Sequence, residues 1–210
     1  LDWCSFKLAK YVCEHWHYSQ KIPTGKTLRI GVWEKGEFKG VIVFSLGVNY
    51  NMGSEVGVYP PEICELSRIA LKCHETPVSR LIKLSLKMLK RKWPRVRLVV
   101  SYADKNQNHL GIIYQASNWV YVGETQPSYL VEYKGKWVHY RSVRTSLLGF
   151  YGEKVNPEAV NLLRSLPKKK IKGKFKYFYP LDPLLRDKVE ALRKPYPKRM
   201  GDVRQRIKKN

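Results

Sequence analysis

Two uninterrupted apolar runs, Val41-Ile42-Val43-Phe44 and Leu98-Val99-Val100, set the first limit on what this chain can become. Both are strand-sized, and Arg97 to Tyr102 reads as a buried strand. Nothing approaches the roughly 20 apolar residues that a membrane-spanning helix needs. No secretory signal is visible from Leu1 onward, so neither a membrane protein nor a secreted one is expected.

Helical spacing of Trp3, Phe6, Ala9, Cys13 and Trp16 predicts a helix ending near Trp16, before the break at Pro23-Thr24-Gly25. Strands are expected over Leu28 to Glu34 and Phe38 to Leu46, turning through Lys35-Gly36-Glu37, and again over Glu65 to Leu71. A helix follows with Thr76 as N-cap and Pro77 in the first position. Its inner face is Val78, Leu81, Ile82, Ser85 and Leu89, and Lys90-Arg91-Lys92 complement the dipole at its end. After the buried strand come a short helix over His109 to Ser117 and a strand at Val120-Tyr121-Val122. A second hairpin, Tyr129 to Tyr133 with Trp137 to Arg141, turns at Gly135. Strands alternating with helices predict an α/β fold with a mixed central sheet flanked by helices.

The chain carries 40 Lys and Arg against 17 Asp and Glu, a formal charge of +23, yet 43% of it is hydrophobic. A real core therefore carries a strongly cationic surface, which points to a polyanion partner. The charge is concentrated: from Arg164 to Asn210 there are seventeen basic residues and four acidic ones. Within that stretch Lys168-Lys169-Lys170 is followed by Lys172, Lys174 and Lys176, interleaved with Phe175 and Tyr177. Alternation allows two readings, a core-packed edge strand whose lysines discourage aggregation or a phosphate-binding rail with aromatic support.

Cys4, Cys13, Cys64 and Cys73 form no CxxC pair. Joining Cys13, His15 and His17 as metal ligands fails on a helix, where positions two apart point in different directions. No dinucleotide fingerprint, phosphate-binding P-loop, nucleophile elbow or zinc-protease helix is present. The densest polar and aromatic cluster is Ser101-Tyr102-Ala103-Asp104 followed by Asn106, Asn108, His109 and Tyr114. Asp104 follows the carboxyl end of the buried strand, where open α/β sheets bind ligands. It reads either as a group that accepts a proton from, or orients, a nucleophilic amine, or as the cap of the next turn. Tyr114 reads as a proton donor or as core. His17-Tyr18-Ser19, after the first helix, serves a pocket or finishes that helix.

The order of elements resembles the GNAT acyltransferase fold, with Glu65 to Leu71 leading into Thr76-Pro77-Val78-Ser79-Arg80, although the RxxGxG or RxxGxA loop of those enzymes is missing. More specifically, six blocks in order resemble the phage Mom family. They are His17-Tyr18-Ser19 with Ile22-Pro23, Gly31-Val32-Trp33-Glu34, and Glu65-Leu66-Ser67-Arg68-Ile69-Ala70-Leu71. Val100-Ser101-Tyr102-Ala103-Asp104, His109-Leu110-Gly111-Ile112-Ile113-Tyr114-Gln115-Ala116 and Tyr177-Phe178-Tyr179-Pro180-Leu181-Asp182 complete them.

The resemblance implies a transferase that converts adenine in double-stranded DNA to N6-carbamoylmethyladenine, shielding phage DNA from restriction in the cytoplasm of the infected bacterium. It implies Asp104, Tyr114, Tyr18 and His17 as active-site residues, with Asp104 as base or orienter of the adenine amine and Tyr114 as acid for the leaving group. Arg68, Ser79 and Arg80 would bind the donor, which the sequence leaves between a glycyl-type and an acyl-CoA-like molecule. Arg141, Arg144, Lys168, Lys169, Lys170, Lys172, Lys174 and Lys176 would contact DNA. A GNAT-like catalytic domain is expected over 1–163, with a basic DNA-binding extension over 164–210 packed on it. Two other readings stand beside this one: a GNAT-type enzyme acting on RNA, protein or a small molecule, and a nucleic-acid-binding protein without catalysis. The sequence names neither a metal ligand set nor an oligomeric state.

Overall fold

The computed structural model describes residues 1–46, 49–149 and 156–198. In chain order β1 (Asp2–Trp3) precedes α1 (Phe6–Trp16), β2 (Thr27–Glu34), β3 (Glu37–Leu46) and β4 (Ile63–Leu71). Next come α2 (Val78–Lys92), β5 (Leu98–Asp104), α3 (Ile112–Gln115), β6 (Val120–Glu124), β7 (Ser128–Tyr133) and β8 (Lys136–His139). The remaining elements are α4 (Tyr140–Leu148), α5 (Pro157–Ser165), β9 (Lys168–Ile171), β10 (Lys174–Pro180) and α6 (Arg186–Glu190).

These elements form two compact units. The first comprises Leu1–Ala103, Leu110–Gly123 and the described chain from Phe175; the second comprises Asp104–His109 and Glu124–Lys174. The chain therefore does not divide at residue 164 as its composition suggested. Burial of Phe175, Tyr177 and Phe178 draws β10 into the large sheet, whereas α5 and β9 belong to the second unit.

In the first unit the sheet order is β1-β2-β3-β4-β5-β10-β6, antiparallel from β1 to β4 and parallel between β4 and β5. The apolar run of β3 is continuous because helices cover both its faces. Val41 and Val43 pack with Ala9, Val12 and Cys13 of α1, whereas Ile42 and Phe44 pack with Leu81, Ile82, Leu86 and Leu89 of α2. Fully burying each such side chain contributes about 1.5–3 kcal/mol. The mixed, helix-flanked sheet expected from the sequence is present.

Three local boundaries differ from expectation. Pro77, with ψ 132°, occupies the N-cap itself, so α2 begins at Val78. The backbone N–H groups of Glu75 and Thr76 are instead received by the Glu34 carboxylate at 2.8 and 2.9 Å. The helix expected over His109 to Ser117 is cut to Ile112–Gln115, because Gly111 before it is left-handed. The second hairpin's return strand stops at His139, whose ring accepts from the Arg141 N–H and starts α4.

The second unit is a three-stranded antiparallel sheet, β8-β7-β9, with Val131 buried against Val143 of α4 and Leu163 of α5. The segment after Asp104 is tied to this unit by the Lys172 N–H, which donates to Asn106 Oδ1, and the Lys174 N–H donates to Thr125 Oγ1.

Candidate active site and nucleic-acid interface

Pairing between β4 and β5 covers Ile63↔Leu98, Cys64↔Val99 and Glu65↔Val100, with no further paired position among the described residues. One strand over, the register of β3 on β4 shifts so that Val43 faces Arg68 and Phe44 faces Leu66, leaving Ser67 as the extra residue of a bulge. Past Glu65 the two parallel strands are joined through a side chain, the Ser101 hydroxyl donating to the Leu66 carbonyl at 2.8 Å. Buried Ser45 shares a hydrogen bond with Ser67 beside Glu65. A row of hydroxyls and one carboxylate thus marks the point where the strands part.

Tyr114 belongs to this point. Gly111 (φ 74°) lies so close to Tyr177 that a Cβ there would stand 2.5 Å from the ring, so glycine is what lets α3 start against it. Tyr114 packs between Trp119 and Tyr177, with ring centroids 5.3 and 5.2 Å away. Burial pushes its hydroxyl up to about 12, against a smaller downward pull from a hydrogen bond with Ser101 and with lesser upward contributions from the neighbouring Tyr18, Glu65 and Tyr177. Tyr114 is therefore a protonated phenol at neutral pH.

Tyr18 is half exposed and lies on the His17 ring, 4.3 Å between centroids. His17 Nδ1 accepts from the Ser19 N–H at 3.1 Å and lies 2.8 Å from its hydroxyl. Arg68 fixes this loop to β4, donating through Nε to the Lys21 carbonyl at 2.9 Å and through Nη1 to the Ser67 carbonyl at 2.7 Å. Two of its guanidinium nitrogens are thereby engaged inside the protein. Ser79 and exposed Arg80 lie in the first turn of α2, which has neither an acidic residue nor a side-chain cap and so suits an anion.

The remaining predicted residues, apart from Lys176, fall in the second unit. Asp104 caps the turn that follows it: its Oδ1 accepts from the Asn106 N–H and Nδ2, both at 2.9 Å, and its Oδ2 lies 3.6 Å from the Lys174 ammonium. The capping reading is thus correct as geometry, and it leaves the carboxylate beside a cation. Lys168, Lys169 and Lys170 are exposed on β9, an edge strand. Alternation divides them. Lys168 and Lys170 share a face with Val131 and Tyr129, and Lys169 points to the opposite one. Lys172 and Arg141 are exposed, whereas Arg144 is half-buried and in contact with a neighbour.

Lys176 corrects the picture of a continuous rail. β10 lies between β5 and β6, not at an edge, and Lys176 is 9% exposed. Its ammonium is 2.6 Å from Glu55 Oε1 and 4.8 Å from the centroid of the Phe178 ring, so it does not face a solvent-borne polyanion.

Glu65 is the candidate residue that sequence reasoning misses. Its signal is a single charge inside the apolar run Ile63-Cys64-Glu65-Leu66. Among the described residues, no group of three His, Cys, Asp or Glu side chains is placed to hold a metal ion.

A model of the Mom protein family matches residues 1–198. The chain belongs to the Mom protein family. Its similarity to the methylcarbamoylase mom of Escherichia phage Mu is 29% identity over 136 residues, covering 63% of this Mom-family chain and 56% of that protein. The match thus spans little more than half the length of that curated relative. Among solved structures, the Mom-family chain is similar to a Bacillus subtilis acetyltransferase in complex with CoA. That similarity is 13% identity over 74% of this chain and 77% of the other, with a TM-score of 0.40. A GNAT family acetyltransferase from Elizabethkingia anophelis with acetyl-CoA bound is similar at 12% identity over 74% and 76%, with a TM-score of 0.37. No helix among the described residues is long and apolar enough to cross a membrane.

Proposed function

We propose that this chain transfers a carbamoylmethyl group to the N6 amine of adenine in double-stranded phage DNA, protecting that DNA from restriction in the infected cell. Family membership over residues 1–198 is the observation that carries the reading. The named activity of the phage Mu relative and the exposed lysines of β9 support it.

The adenine amine is a poor nucleophile, because its lone pair is delocalised into the ring. It gains reactivity only if its proton is withdrawn as the new bond forms. Asp104 is assigned that role, with the Lys174 ammonium 3.6 Å from its Oδ2, and Glu65 is a second carboxylate at the parting of β4 and β5. Tyr114 donates its proton to the leaving group, Tyr18 and His17 shape the acceptor pocket, and Ser79 and Arg80 receive the donor's anionic part. The donor is glycyl-type or acyl-CoA-like. A glycyl donor balances in two steps. The amine displaces the carrier and forms a glycyl amide, the released proton leaving with the carrier. The glycyl nitrogen then attacks C6 and expels the original nitrogen, which becomes the carboxamide. Labelled glycine tests this, since its nitrogen must end on the ring carbon.

The deciding experiment is mass spectrometry of nucleosides from DNA of cells expressing the chain, beside an Asp104→Ala control. Deoxyadenosine heavier by the carbamoylmethyl increment, absent in the control, is expected. Unmodified deoxyadenosine in both samples, with soluble folded protein, overturns the reading.

A further inference from the structure

In the second unit, β7 and β8 are joined by Lys134 and Gly135, both left-handed at φ 51° and 70°. That two-residue turn matches the natural twist of a hairpin and gives a stiff tip. The pairs Tyr133↔Lys136 and Glu132↔Trp137 fix which side chains share a face. Val131, Tyr133 and Val138 pack with Val143 and Leu163 of the two helices, so alternation turns Trp137 away from that core. Its indole is 48% exposed. Lys134 and Lys136 both precede it at the turn; Lys134 Nζ lies over the Tyr133 ring, 5.4 Å from its centroid. Glu132, the only acid between Ser128 and His139, is the cross-strand partner of Trp137 and shares its face, and Lys136 shares that of Tyr133.

A large flat ring held in water on a rigid support, next to a turn that carries two cations, fits a stacked polyanion. Amine chemistry on a paired adenine requires the base to leave the helix, at a cost of a few kcal/mol, and apolar side chains that enter a base step lower it. We propose that Trp137 is a wedge that enters the DNA stack beside the target adenine, with Lys134 and Lys136 on the flanking phosphates. This rests on the reading above that duplex DNA is the substrate. Tyr129 is equally exposed, but it lies at the start of β7, paired with Lys170 and away from the tip.

The test needs no donor. The full chain is titrated into a duplex carrying 2-aminopurine at several adenine positions, whose emission rises when the base unstacks, and affinity is measured in parallel. With wild type a rise of about twofold or more is expected; Trp137→Ala should bind within about threefold of wild type yet give less than about a tenth of that rise. Trp137→Phe, which keeps a ring, should restore part of it. A full rise with Trp137→Ala overturns the wedge, as does a loss of affinity beyond about tenfold, which would make the indole a docking contact. Wild type that binds without any rise overturns the wedge alone. Wild type that fails to bind duplex DNA overturns the substrate reading itself.

Discussion

The Lys174 ammonium stands 3.6 Å from Oδ2 of Asp104, while Oδ1 of the same carboxylate receives two donors from Asn106. A residue expected to touch DNA and one expected to act on the base therefore sit side by side, and the carboxylate has two separable duties. Asp104→Asn keeps an oxygen for the Asn106 N–H but removes the charge. It should change stability by less than about 1 kcal/mol and lower modification by about 10²–10⁴-fold. Asp104→Ala should add a capping loss of about 0.5–2 kcal/mol. Thermal melts beside nucleoside mass spectrometry separate the two effects. Equal modification by Asp104→Asn and wild type would remove Asp104 from the chemistry.

Tyr114→Phe deletes one hydroxyl and keeps the ring against Trp119 and Tyr177. Folding should weaken by only about 1 kcal/mol, the value of one hydrogen bond, while modification should fall by about 10²-fold or more. Glu65→Gln, which keeps the shape and removes the charge, should also lower modification with the melting temperature nearly unchanged. A variant of either kind with full activity contradicts its assigned role.

The lysines divide into two groups that salt titration distinguishes. Removing one lysine–phosphate interaction should reduce the slope of log K against log salt by about 0.9. Replacing Lys168, Lys169 and Lys170 by Gln should therefore flatten the slope by up to about 2.7. Lys176→Met should leave slope and affinity unchanged, because that ammonium is buried beside Glu55. An unchanged slope in the triple variant places the DNA surface elsewhere.

The sheet was legible because its strands obey simple periodicities. Val41 to Phe44 is apolar throughout, and two helices cover its two faces. The face of α2 was equally readable from Leu81, Ile82, Ser85 and Leu89. What failed was local pattern contradicted by long-range pairing. The alternation of Lys174, Phe175, Lys176 and Tyr177 looks like a half-wet edge strand, but β5 and β6 flank it on both sides, so Lys176 is buried with a partner more than a hundred residues away. Of the candidate site, Tyr114 and Tyr18 could be singled out as polar groups in aromatic surroundings. Glu65 could not, since its significance lies in where β4 and β5 stop pairing, which no single strand records.

Glu34 links acid stability to the helix that the donor is proposed to approach. Its carboxylate is held down to about 2, first by the Thr76 side chain and then by the backbone N–H groups of Glu75 and Thr76. A folded-state value below the ordinary 4.5 means that the carboxylate's contribution is present above that pH and is lost as pH falls toward about 2. Glu34→Gln retains one acceptor oxygen but not the charge. Wild type should therefore lose thermal stability between pH 4.5 and about 2 more steeply than the variant, and the two curves should converge at the acid end. The Pro77 ring leaves α2 without a side-chain cap, so the entry to its first turn depends on this carboxylate. At neutral pH Glu34→Gln should accordingly loosen amide protection at Glu75 and Thr76 in hydrogen exchange while leaving β7 and β8 untouched. Parallel melting curves across that acid range, with unchanged exchange at Glu75 and Thr76, would show that Glu34 does not hold the helix entry.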